Sequence, residues 1–281
     1  MQTHDHTEPS TPSRVLTAKE LGEVDRLAAS EFGMPPILLM EHAAIGLADA
    51  AVRMLSVLDR TSVLVVCGSG GNGGDGFAAG RLLQDQELDV SIAIVTPRSV
   101  EREDVLANLR MAEARGLIRS RMPDQVDSPD AAEQWLDAII AERSPDLILD
   151  CLFGIGFHGP VEGAPLGVIR SLNNATAPKL AADIPSGLSA ETGRPSDEAV
   201  VADVTATFCA LKPGFEALDA QGHLGEVIVV PIGVPADLVG RFGRPASDHP
   251  DAPWRAVLDT DPEPADPAPT PGRTEGGSEA Y

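Results

Sequence analysis

The chain has 281 residues, 43% of them hydrophobic and only 4% aromatic, with a formal net charge of −22. That length and apolar content allow one large α/β domain and exclude a fibre, a collagen or a wholly disordered chain. A core drawn from Ala, Val, Ile and Leu argues against an all-β sandwich. No dense cluster of Lys and Arg offsets the negative charge, so nucleic acid and anionic membranes are poor partners, and a phosphate ligand would have to rest on backbone N–H groups and helix N-termini.

In chain order, residues 1–13 are polar, carry Pro9 and Pro12, and lack the basic and apolar regions of a signal peptide, so they read as a disordered tail. His4 and His6 within it are read as incidental. Thr17 to Glu31 reads as a helix with Leu21, Val24, Leu27 and Ala28 on one face, and Ile37 to Leu58 as a longer one begun by Pro35 and Pro36. Ser62 to Cys67 is a continuous apolar run ending in glycines, the pattern of a buried central strand. A helix from Asp75 to Gln86 and a strand from Val90 to Val95 follow. Further strands are expected at Asp146 to Cys151, Lys179 to Ala182, Val204 to Phe208 and Val227 to Val230, with helices around Glu103 to Ala114, Ala131 to Ala141 and Leu166 to Leu172. Strands alternating with helices define a Rossmann-like three-layer αβα sandwich with a mainly parallel sheet. One domain, residues 14–243, accounts for this region. Residues 244–281 hold eight prolines and eight acidic residues against three arginines and read as a second disordered tail. Cys67, Cys151 and Cys209 sit in or beside apolar runs and read as buried thiols, which with the absence of a membrane-length apolar run points to a soluble, cytoplasmic protein.

The residues with chemistry fall at strand ends. After the first apolar strand, CGSGGNGGDG packs six glycines with Asn72 and Asp75, where exposed amides hold phosphate; Gly68, Gly70 and Gly73 satisfy G-x-G-x-x-G, a weak pattern alone. Ile94, Val95, Thr96 and Pro97 stand where a ribose-binding acid would end the second strand, which disfavours an ordinary dinucleotide oxidoreductase. There is no G-K-[ST] of a P-loop. Asp150 ends an apolar strand before Gly154, Gly156 and Gly159, and a cap or loop-amide role is the alternative to a functional one. Asp183 ends the next, with Ser186 and Gly187 behind Pro185. The resulting oxygen set of Asn72, Asp150, Asp183 and Ser186 suits a hard cation, whose identity these residues leave open.

The blocks LLMEHAA, SGGNGGDG, DCLFGIGFHGP, AADIPSG, TATFCALKPG and GEVIVVPIGVP, in that order, resemble the YjeF N-terminal domain family, the NAD(P)H-hydrate epimerases, from Thr17 to about Val239. The resemblance implies an enzyme, an isomerase that interconverts the R and S forms of hydrated NADH or NADPH (NADHX, NADPHX) at C6 of the nicotinamide ring, in nicotinamide nucleotide repair. It implies substrate contacts from Gly71, Asn72, Gly73, Gly74 and Asp75, from Gly154, Ile155, Gly156, Phe157, His158, Gly159 and Pro160, and from Asp183. It implies a potassium ion on Asn72, Asp150 and Ser186. The family loop usually reads Asn-Asn-Gly-Gly-Asp, and here Gly71 replaces the first Asn, which puts one polar contact in doubt. Asp183 is the candidate proton shuttle. Lys212 is a candidate second proton-transfer group or phosphate contact, with an ordinary surface lysine as the alternative. Many bacterial relatives carry a dehydratase domain after this one, whereas here only the acidic stretch follows, so dehydration is expected from a separate protein. A homodimer is left open. The competing class is a non-catalytic nucleotide-binding or scaffold protein on the same fold, which would have no need of Asn72, Asp150, Asp183 and Ser186.

Overall fold

The computed structural model describes residues 14–56, 60–95 and 100–246. The expectations for both tails, for His4 and His6, for Val57 and Leu58, and for Thr96 and Pro97 lie outside the described residues, except that the second tail was expected to begin at Arg244. The elements run β1 (Arg14–Val15), α1 (Ala18–Phe32), α2 (Pro36–Ser56), β2 (Ser62–Cys67), α3 (Gly71–Asp85), β3 (Asp89–Ile94), α4 (Glu103–Ala114), β4 (Ile118–Arg121) and α5 (Pro129–Arg143). They continue with β5 (Leu147–Cys151), α6 (Ala164–Asn174), β6 (Lys179–Ala182), β7 (Val204–Phe208), a 3-10 turn (Pro213–Glu216), α7 (Leu218–Leu224), β8 (Glu226–Val230), α8 (Ala236–Val239) and β9 (Arg244–Pro245).

Seven strands form one parallel sheet in the order β4-β3-β2-β5-β6-β7-β8. From β2 the chain first builds outward through β3 and β4, then crosses back to β5, so the strand order reverses between β2 and β5, the place where such sheets open a crevice. Alternation along β2 serves both faces: Val63, Val65 and Cys67 join the cluster under α1 to α4, and Leu64 and Val66 join the one under α5 and α6. This is the three-layer sandwich expected from the strand and helix alternation. Among the described residues no helix is long and apolar enough to cross a membrane.

Local chemistry sets the helix ends. Thr17 and Glu20 close a capping box at α1, and Gly33, at φ 67°, ends it. Ser128 caps α5 ahead of Pro129, so that helix begins before Ala131. The largest difference is α3, which begins at Gly71 rather than Asp75: the glycine segment is the first turn of the helix, not a loop before it. Glycine's low helix propensity is overridden there by packing. A Cβ on Gly73 would fall 1.9 Å from the carbonyl oxygen of Gly68, so only glycine lets the helix start that close to its own strand. Edge strand β4 pairs with β3, and β1 pairs antiparallel with β9, so Arg244 and Pro245, assigned from sequence to the second tail, belong to the fold. The Arg14 guanidinium reinforces that pairing by donating to the Phe242 carbonyl.

Candidate active site

Asp150 occupies the last turn of the pleat in β5 and is fully buried. Its Oδ1 accepts from the Ser186 hydroxyl at 2.6 Å and from Leu152 N–H at 3.3 Å, and its Oδ2 from Ser186 N–H at 2.8 Å. Burial pushes its pKa up to about 6, with the Ser186 and Leu152 bonds opposing. The loop-amide role is thus present in full. Having given its one proton to Asp150, the Ser186 oxygen accepts from Phe153 N–H at 2.9 Å. The Phe153 carbonyl accepts from the Asn72 amide at 2.8 Å, while Asn72 Oδ1 is buried without a partner. Asn72, and Ser186 held by Asp150, therefore meet at Phe153, and this set leaves one orphaned buried acceptor, Asn72 Oδ1, which a hard cation would satisfy. The donors are all oxygen, and among the described residues no group of three His, Cys, Asp or Glu forms a competing metal cluster.

Above this knot lies a cavity of about 610 Å³, the size of a small-molecule site. Gly70, Gly71, Asn72 and Asp75 of the α3 start, Gly154 to Phe157 of the turn after β5, and Asp183 line it. Asp183 follows β6 at φ 65°, and Cys209, across the cavity after β7, stands at φ 66°. Backbone in that region costs a non-glycine residue and concentrates at functional sites. Asp183 Oδ1 is fully engaged, taking Lys212 Nζ at 2.5 Å and Phe208 N–H at 3.3 Å. Its Oδ2 has only a long contact from Ile155 N–H, 3.4 Å, and packs beneath Gly154, where a Cβ would come within 3.3 Å.

Several expectations change. Lys212 is neither a surface lysine nor a phosphate contact: it is 0% exposed, lies behind the cavity wall, and also donates to Thr207 Oγ1 at 2.6 Å and to the Phe208 and Ala210 carbonyls. Its ammonium is held against Asp183 Oδ1. Gly73 and Gly74 are packed behind the lining, and His158, Gly159 and Pro160 are exposed beyond it. Asp150 and Ser186 sit under the floor. Cys67 and Cys151 are buried thiols as expected; Cys209, expected to be buried with them, is only partly so and lines the cavity, and desolvation still pushes its thiol up to about 11, out of the range of a nucleophile at neutral pH.

Sequence reasoning missed Asp25 and Arg102. Asp25, on α1 one turn after Leu21, lines the cavity from its exposed side; desolvation, helped by the Asp183 charge, pushes its pKa up to about 6. Asp75 is raised well above the usual carboxylate range by burial first and by Asp183 next. Arg102 is the cation facing these acids, so a phosphate would meet a guanidinium as well as backbone amides, contrary to the expectation from net charge.

A parallel αβα sheet with a glycine-lined cavity at its switch point defines a Rossmann-like protein with a site of small-molecule size at the carboxyl edge of its sheet. The family described as YjeF-related protein N-terminus matches residues 37–214. The chain is 35% identical over 229 residues to an NAD(P)H-hydrate epimerase of Rhodopirellula baltica, covering 81% of this chain and 87% of that one. It is 34% identical over 229 residues to a bifunctional NAD(P)H-hydrate repair enzyme of Moorella thermoacetica, covering 80% of this chain and 41% of that one. The crystal structure of the yeast protein ynu0 superposes with a TM-score of 0.67 at 22% identity, over 85% of this chain and 98% of that one, and shares the fold. The chain belongs to the YjeF N-terminal family.

Proposed function

We propose that the protein is an NAD(P)H-hydrate epimerase that inverts C6 of the nicotinamide ring in NADHX and NADPHX. The observation that carries this reading is the Asp183 carboxylate, which lines the cavity from a strained strand end with one oxygen committed to Lys212 and the other holding only a long contact from Ile155 N–H. C6 is an aminal-type carbon beside the ring nitrogen. Its inversion needs acid-assisted departure of the hydroxyl as water, a planar iminium, and return of water to the other face with loss of a proton. Asp183 Oδ2 takes the proton from the entering water and its charge stabilises the iminium. Asp75, whose carboxyl burial raises well above the usual carboxylate range, lines the same cavity and is the acid available to the departing hydroxyl. The cavity's apolar side, Leu21, Leu39, Met40 and Ile232 among others, limits the water reaching the cation.

Potassium fits the knot beneath the floor, where Asn72 Oδ1, Asp150 and Ser186 would hold it. When bound, it would supply positive charge beside the buried Asp150 and fix the turn of Gly154 to Phe157. A dehydratase consuming one epimer is the partner that would complete the repair. Incubating the protein with one pure epimer of hydrated NADH, and following the other by chromatography against the spontaneous rate, tests the reading.

A further inference from the structure

The Arg102 side chain, about half exposed, is oriented by Asp104. Its Nε donates to Asp104 Oδ1 at 3.1 Å and its Nη2 to Asp104 Oδ2, a fork that leaves Nη1 without a partner among the described residues. A Cβ on Gly71 would lie 2.9 Å from that Nη1 and 3.8 Å from Cζ, with nothing else within 4 Å. The absent side chain at position 71 is thus what lets the guanidinium lie over the first turn of α3. Arg102 and Pro36 also line a second cavity of about 510 Å³, walled by Pro35, Ile37, Glu103 and Asp104, so the guanidinium stands where the two cavities meet.

Among the residues lining the first cavity, the Asp183 and Asp25 carboxylates disfavour an anion and Arg102 favours one. A guanidinium held by one carboxylate and still presenting a free N–H edge matches a phosphate oxygen. The first amides of α3, which has glycine at its N-cap and no side chain capping it, face the same space. We infer that Arg102 is the phosphate-binding residue of this site, holding the diphosphate of a dinucleotide at the junction, with the reacting ring toward Asp183 and the distal nucleoside in the second cavity. The apolar faces of Pro35, Pro36 and Ile37 suit a flat base there. The inference rests on the dinucleotide reading above.

Two readouts test it: inorganic pyrophosphate binding by calorimetry, and turnover of hydrated NADH. Arg102→Gln is expected to weaken pyrophosphate binding and raise KM by about tenfold or more, the effect of one charge-assisted hydrogen bond, with kcat within about twofold. Gly71→Ala, whose methyl meets only the guanidinium, is expected to act in the same direction, and to add nothing in the Arg102→Gln background. Arg119→Gln, exposed on β4, controls for lost charge and is expected to change neither readout. Undiminished pyrophosphate affinity in Arg102→Gln, or an equal loss in Arg119→Gln, would overturn the inference even with epimerisation intact. Loss of pyrophosphate binding in Arg102→Gln, in a protein whose unaltered form does not epimerise, would instead overturn the proposed function and leave the phosphate site standing.

Discussion

The backbone of Asp183 at φ 65° costs about 1–3 kcal/mol relative to an ordinary strand end. The Lys212 ion pair and the Phe208 N–H bond hold it there. Asp183→Asn keeps a residue that tolerates this conformation, and epimerisation is expected to fall at least ~100-fold, the lower range for a positioned acid or base. It also strips the buried Lys212 of its counter-ion, so stability should fall and recover in part, without activity, in Asp183→Asn with Lys212→Met. Equal melting temperatures for the single and double variants would remove the positioning role of Lys212. For Asp150, the folded pKa of about 6 lies above the ordinary carboxylate value, so in potassium-free buffer this group favours folding more as pH falls through 6. Potassium favours the ionised form, so its stabilising effect runs the opposite way: larger at pH 8 than at pH 5. The thermal shift of potassium against a bulky organic cation at matched ionic strength measures this, and Asp150→Asn should abolish it. A shift undiminished between pH 8 and pH 5 would sink the ion site. Asp150, Asp183, Ser186 and Asn72 were legible in the sequence because polar residues at the end of an apolar strand, or in the turn that follows it, mark the carboxyl edge of a parallel sheet. Asp25 and Arg102 were not, since they reach the cavity from α1 and from the segment before α4, and nothing local separates Asp25 from the other acids among 43 Asp and Glu.

Among the elements, buried strands announced themselves as apolar runs, and β2, β5, β6, β7 and β8 stand within a residue of where those runs place them. Strand β4, Ile-Arg-Ser-Arg, was silent because an edge strand exposes alternate side chains and can be charged. Strands β1 and β9 are two residues each, too short for any periodicity. The start of α3 was misplaced because propensity alone rejects Gly-Asn-Gly-Gly as a helical turn, and the close approach to Gly68 that requires it is a tertiary contact. The two ends of that turn should respond differently. Gly73→Ala sets a methyl against backbone that cannot yield and is expected to destabilise by about 3 kcal/mol in denaturant unfolding. Gly70→Ala, with open space around its Cβ and φ −90°, should fall within about 0.5 kcal/mol. Equal effects would mean that α3 does not begin against β2 as described.

For the whole molecule, the parallel sheet converts three separate strand ends into one place. The glycine turn after β2, the turn after β5 and Asp183 after β6 come together because β2, β5 and β6 are neighbours, although 111 positions separate Asn72 from Asp183 by subtraction of their numbers. The chain's net charge of −22 is not relieved at the cavity, where acids outnumber Arg102, and this suits a cationic iminium better than it suits the phosphates that deliver it. A pathway through that iminium has a signature in the oxygen atom. If C6 loses its hydroxyl as water and regains water on the other face, a pure epimer incubated with the protein in ¹⁸O-water must yield the other epimer carrying ¹⁸O at C6, at a rate that Asp183→Asn suppresses. Inversion that retains the original oxygen would mean the ring opens and recloses instead, and no inversion above the spontaneous rate would contradict the epimerase reading altogether.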